Sequence, residues 1–220
     1  MKEILNFVMV LVAIIKPFNG KSSIFIGKPG YVNNLNTDTV KKDIPLDQKG
    51  NPMGFYKWKD IIEKKGDFQT IENGFDSLEI RIWYGHAFSD KLQLLVISKW
   101  KLGWNGELVE LNCVYDKKHD SILSISRLSK KVLPKTGWKD FILKINKLKV
   151  QSLPNYSTIN NYSVCSDGDG VTIEVATVNK YRIYNYPCFE SNAQIWQAGN
   201  ISKIMNLIEN EFNFKRLRVK

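Results

Sequence analysis

Arginine is scarce in this chain. Of 32 basic residues only five (Arg81, Arg127, Arg182, Arg216, Arg218) carry a guanidinium, and the other 27 are lysine. A dense array of bidentate contacts to phosphates or base edges is therefore excluded, because the guanidinium fork is the group suited to them. The net charge of +10 invites a polyanion partner, but the lysine doublets 41–42, 64–65, 117–118 and 130–131 each stand beside acidic or turn-forming residues. Twenty Asn and 23 Ile accompany the lysines, which marks a compositional background rather than a selected basic face. The one concentrated basic stretch is the tail from Lys215 to Lys220, read here as a solvated chain end. Nucleic acid is not the expected partner. Polyanion binding through the lysines stands as a second alternative, and it requires binding that falls steeply with salt.

Histidine is scarcer still. His86 and His119 are the only two, and neither has metal-ligand spacing or a neighbouring cysteine cluster, so no zinc site can be argued. Asp116, His119 and Asp120 share one lysine-rich turn, where solvation is the ordinary fate of such residues. Gly-x-Ser-x-Gly is missing, which removes the nucleophile-elbow hydrolases. Gly20-Lys21-Ser22 resembles the end of a phosphate-binding loop, but Ile15 stands where its first glycine belongs, and the following Ile24-Phe25-Ile26 is β-branched rather than helical. Ser166-Asp167-Gly168-Asp169-Gly170 resembles the front of a calcium loop, yet Cys165 and Ala176 occupy its first and twelfth ligand positions. No metal and no cofactor is called for. With 14 Gly, 7 Pro and 43% apolar residues, disorder and collagen-like repetition are excluded as well.

Only one long apolar run exists. Ile4 to Ile15, broken by Asn6, follows Lys2 and precedes Lys16-Pro17-Phe18-Asn19-Gly20. It is short for a membrane span and of the right length for the core of a secretory signal, with Gly20 and Ser22 as the small residues before a cut at Ser23. Residues 1–22 are thus expected to direct export and be removed, leaving no membrane span; retention as an uncleaved anchor is the alternative. Residues 23–56, rich in Asn, Asp, Gly, Pro and Lys, read as an irregular leading segment, 57–214 as a single domain, and 215–220 as the basic tail.

Three cysteines suit an oxidising compartment and leave one over. Three pairings are open. Cys165–Cys188 is favoured because the two flank a hairpin, Val171–Ala176 and Tyr181–Tyr186 around a turn at Val178-Asn179, whose antiparallel pairing brings its outer ends together. Cys113, inside the apolar stretch Leu108–Tyr115, reads as a small buried side chain.

Strands are expected at Ser77–Tyr84, Lys91–Trp100 and Gly106–Tyr115, with a weaker strand signal at Ser121–Arg127. Asn105-Gly106 is the strongest turn signal and predicts a hairpin of the second and third strands. A short amphipathic helix is read at Lys57–Lys65, a second from about Thr136 to before Pro154, and a third beginning at Asn200 or Ser202. The expected fold is α+β: a largely antiparallel sheet packed by two amphipathic helices, in a single domain. Trp83, Trp100 and Trp104 near one hairpin end could form a platform for a sugar or a cation; core packing is the competing reading, and exposure of Trp104 would decide for the platform.

The helix Trp138-Lys139-Asp140-Phe141-Ile142, followed by Asp169-Gly170-Val171-Thr172-Ile173-Glu174 and Asn179-Lys180-Tyr181-Arg182-Ile183-Tyr184, resembles small exported proteins of unknown function from Bacteroidetes-type bacteria, chiefly over residues 136–212. The resemblance implies an exported α+β domain and transfers no catalytic residue. The reading that follows is a non-catalytic exported binding or interaction module with a protein or glycan partner. The alternative is an exported hydrolase whose residues converge only in the fold, through Cys165, His86 or His119.

Overall fold

The structure, a computed structural model, describes residues 39–216 apart from 54, 87–88 and 117–120. The apolar run at 4–15, the export site at 20–22, His119 and the last four residues of the basic tail lie outside the described residues.

Seven strands form one sheet in the order β1-β7-β6-β2-β3-β4-β5. They are β1 (Lys41–Asp43), β2 (Leu78–His86), β3 (Lys91–Trp100), β4 (Gly103–Asp116), β5 (Ser121–Val132), β6 (Asp169–Thr177) and β7 (Lys180–Pro187). Every pairing is antiparallel except β1 with β7. Three helices accompany the sheet: α1 (Phe55–Lys65), α2 (Trp138–Lys147) and α3 (Trp196–Phe212). The α+β class holds, with three helices where the fold was expected to use two, and with a short strand, β1, inside the leading segment read as irregular.

Strand alternation assigns each side chain to a face. In β2, Ile80, Ile82 and Tyr84 join Ile97, Leu95, Val175 and Ile173 of the neighbouring strands in one core, completed by Phe141 and Ile145 of α2 and by Ile201, Ile204, Met205 and Ile208 of α3. The intervening Trp83 joins Leu94, Val109, Leu111, Cys113 and Ile122 in a second core closed by Ile62 of α1. Cys113 is buried there as a free thiol. Both faces of the central strands are covered, so Glu79 to Tyr84 of β2 are all buried despite their alternating sequence.

The β3–β4 hairpin forms, but not around Asn105-Gly106. The chain reverses at Lys101-Leu102, with Gly103 at φ +131°, and Asn105 and Gly106 pair inside the ladder with Ser98 and Ile97. The reason is the neighbour above. A Cβ on Gly106 would come within 2.9 Å of both the Trp138 ring and the Val132 carbonyl, so this glycine serves close packing of α2 rather than a turn. Trp138 then stacks on Trp104 at 6.3 Å and meets Phe141 and Phe212 at 6.0 and 6.1 Å.

Helix α3 starts four residues before Asn200. Gly199, a breaker on paper, donates its backbone N–H to Ile195 at 2.8 Å and admits the Ala193 carbonyl where a side chain would collide. At the far end Asn213 takes the left-handed conformation that asparagine tolerates, which ends the helix. The chain then buries Phe214 and lays Arg216 on Glu209 (2.8 Å) and Glu190 (2.5 Å), so the start of the basic tail is docked rather than solvated.

Candidate functional site

Two polar assemblies occupy the α1 side of the sheet. The first is buried and ionic. Glu79 and Arg81 on β2, Glu174 on β6 and Tyr181 on β7 point to the same face, and Lys59 and Glu63 descend on them from α1. Arg81 donates to Glu79 and Glu63, both at 2.8 Å, and to the Gln69 carbonyl at 2.7 Å. Lys59 reaches Glu72 at 2.8 Å and Glu63 at 3.3 Å. Glu174, with no exposed surface, accepts from Trp83 Nε1 and from the Tyr181 hydroxyl, both at 2.7 Å. Four carboxyl groups (Glu63, Glu72, Glu79, Glu174) thus gather around the two buried cations Lys59 and Arg81, with the more exposed Lys42 reaching only Glu72, at 3.4 Å.

That imbalance shapes their titration. Burial, reinforced by the Glu174 carboxylate, pushes Glu63 up to about 7, and burial also raises Glu79. Burial acts in the same direction on Glu72, but hydrogen bonds from Lys59 and Tyr56 hold it below its ordinary value. Burial opposes the charge on Lys59 and Arg81, yet the surrounding carboxylates raise both above their ordinary values. Because Glu63 binds its proton more tightly folded than unfolded, its burial costs little below pH 4.5 and its full amount above pH 7, so its contribution makes stability fall as pH rises through that window. Glu63→Gln is expected to remove that slope. Its stability relative to the parent should improve by on the order of 3 kcal/mol between about pH 5 and 8, read from urea unfolding at several pH values. Parallel pH profiles for the two proteins would contradict the assignment. The ionic pairing and the packing of α1 over it identify this assembly as a structural network.

The second assembly is open. A cleft of about 180 Å3 lies beside β7. Its lining includes Thr172 of β6 and Ile183, Asn185 and Pro187 of β7. Further walls come from Tyr56 of α1, from Asn155 and Tyr156 at a 3-10 turn (Tyr156–Thr158), from Val164, and from Pro45 and Met53 of the leading segment. Each wall has its own anchor. Asp47 accepts from the backbone N–H groups of Lys49 and Asn51, and Met53 donates to the Pro45 carbonyl, which shapes the 45–53 loop. Arg182 donates to the carbonyls of Gln151 and Leu153, Tyr186 to that of Pro154, and the Asn185 N–H to Asn155 Oδ1 at 2.9 Å; together these strap the 151–155 stretch to the edge of β7. The Cys165–Cys188 disulfide, flanked by the lining residues Val164 and Pro187, ties down the remaining wall.

No lining residue among the described ones is an acid, histidine, cysteine, lysine or arginine. The polar atoms offered are carboxamides and hydroxyls, and one of them, Asn185 Oδ1, is buried without a hydrogen-bond partner.

The residues singled out from the sequence fall elsewhere. Cys165 and Cys188 do pair. Trp83, Trp100 and Trp104 form no common platform: Trp83 is 2% exposed and hydrogen-bonded in the α1-side core, Trp100 packs edge-on to Phe75 on that side, and Trp104 lies on the opposite face against Trp138. Alternation decides this, since Trp104 pairs with Lys99 in the register and not with Trp100. Lys99 Nζ sits 5.8 Å from the Trp104 ring, a single local contact. His86 ends β2 opposite Asp169. Cys165 is held in the disulfide and has no thiol with which to act as a nucleophile.

No family model, no curated protein and no solved structure matches this chain. Among the described residues no helix is long and apolar enough to cross a membrane.

Proposed function

We propose that this chain is an exported, non-catalytic binding module that holds an uncharged ligand in the cleft beside β7. The observation that carries the reading is the lining: a concave, anchored site with neutral hydrogen-bonding groups and no acidic, basic, histidine or cysteine side chain for catalysis. Export is supported by the apolar run Ile4–Ile15, by the small residues Gly20 and Ser22, and by a disulfide of the kind that persists in oxidising compartments. The resemblance to exported Bacteroidetes-type proteins points the same way. The hydrolase alternative loses its cysteine to the disulfide.

The test of export is intact mass of the protein recovered outside the cytoplasm, alkylated in denaturant before and after reduction. The expected chain begins at Ser23 and takes up one alkyl group before reduction, at Cys113, and three after it. A mass beginning at Met1 with three free thiols would overturn export.

A further inference from the structure

Resting on the cleft reading above, we propose that the occupant is a single neutral pyranose unit, the terminal sugar of a glycan. Three properties of the lining select it. The first is charge: an ionised phosphate, carboxylate or ammonium entering the cleft would lose its water and find no opposite charge there, which costs several kcal/mol. The second is size. About 180 Å3 is below the roughly 300–1,000 Å3 of pockets that take drug-sized ligands, and it suits one six-membered ring rather than a run of peptide.

The third is the pattern of polar and apolar groups. Asn155, Thr172 and Asn185 offer amide and hydroxyl groups, while Tyr56, Tyr156 and Ile183 offer ring and hydrocarbon surface. A pyranose matches this division, with C–H bonds on its faces and hydroxyls around its rim. Its hydroxyls both donate and accept, so they suit carboxamide and hydroxyl groups in the lining whichever way the carboxamides are turned.

This assignment makes an unusual stability prediction. Asn185 Oδ1 has no partner to lose, so Asn185→Leu, nearly the same size, should leave the thermal midpoint unchanged or raise it while removing the ligand contact. A structural role for the carboxamide would give the reverse.

The experiment is a titration of the 15N-labelled, oxidised protein, followed through the backbone amides of Asn155, Val164 and Asn185. The probes are glucose, galactose, mannose and N-acetylglucosamine, with glucuronate as a charged analogue and blocked, uncharged tripeptides as the competing ligand class. At least one neutral sugar is expected to give saturable shifts with Kd in the millimolar range, and glucuronate to bind about tenfold more weakly than glucose or not at all. Asn185→Leu should weaken sugar binding at least about tenfold with its fold intact, and Tyr156→Ala, at a half-buried position, should do the same. The proposal is overturned if neutral sugars up to about 50 mM leave these amides unmoved, or if Asn185→Leu binds as the parent does. Shifts from the peptides alone would keep the binding module and replace its ligand, whereas no cleft shift from any probe would remove both readings.

Discussion

Arg81→Met is expected to destabilise the protein by about 3–5 kcal/mol, a large share of the roughly 5–15 kcal/mol that holds a typical domain together. Arg81 is 2% exposed, and its guanidinium joins three parts of the network: Glu79 on its own strand, Glu63 on α1, and the Gln69 carbonyl in the segment after α1. Methionine fills similar space with no donor. Glu79 would then have to be protonated or buried without its cation, Glu63 would keep only Lys59, and the Gln69 carbonyl would lose its donor. The loss should grow with pH, because protonation is the escape open to Glu63 and Glu79, and both already hold their protons above the ordinary range. Arg81→Lys keeps a charge but reaches fewer acceptors, so an intermediate loss is expected. Urea unfolding at pH 6 and pH 8 reads both effects. A loss below about 1 kcal/mol at both pH values would mean that the network holds nothing together.

The network also shows where a sequence stops being legible. Strand β3 is found at its expected bounds, and the β6–β7 hairpin turns at Val178-Asn179 as its residues require. These elements announce themselves because apolar spacing and turn residues are local signals. In β2, Glu79, Arg81 and Trp83 alternate with Ile80, Ile82 and Tyr84. The face that carries the first three is roofed by α1, because Trp83 donates to Glu174 across 91 positions of sequence and Arg81 donates to Glu63 of the helix. Partners that distant leave no local trace. The same holds at Gly106, whose role depends on Trp138 thirty-two positions later.

The cleft was hidden for a related reason. Aromatic residues drew attention to Trp83, Trp100 and Trp104, three rings within twenty-two positions, which strand alternation then sends to opposite faces. The groups that do line a concavity are uncharged and scattered along the chain, coming from the leading segment, α1, β6, β7, Val164 and the turn at Tyr156. Pro154-Asn155-Tyr156-Ser157 reads as an ordinary loop until Asn155 is seen bridging to the Asn185 backbone. Of the named candidates, the disulfide stands next to the site, its cysteines adjoining the lining residues Val164 and Pro187. Its signal was geometric, since the outer ends of a hairpin must meet wherever its strands pair.

That disulfide supports the second large expectation. Cys165→Ser with Cys188→Ser should lower stability by about 3 kcal/mol, the closure entropy returned to the unfolded chain by opening a loop spanning 23 positions. The loss should not be spread evenly. Cys188 sits at φ +54° at the end of β7, and Gly168 has no side chain because a Cβ there would collide with both sulfurs, so the backbone on each side is shaped around the bond. On the Cys165 side, Ser163 is held to Asn192 by two hydrogen bonds and Tyr162 to the Pro187 carbonyl by one. The sheet beneath keeps its full ladders of β2, β6 and β7. Amide exchange should therefore accelerate first at Ser163–Cys165, the wall that carries Val164 into the cleft, while Ile82 and Ile173 stay protected. Because Cys165 is exposed, reductant should reproduce the effect in the unmodified chain, and ligand affinity should fall in parallel with the loosening of that wall. If reduction leaves both the unfolding midpoint and the exchange at Ser163–Cys165 unchanged, the bond neither stabilises the fold nor holds the cleft wall in place.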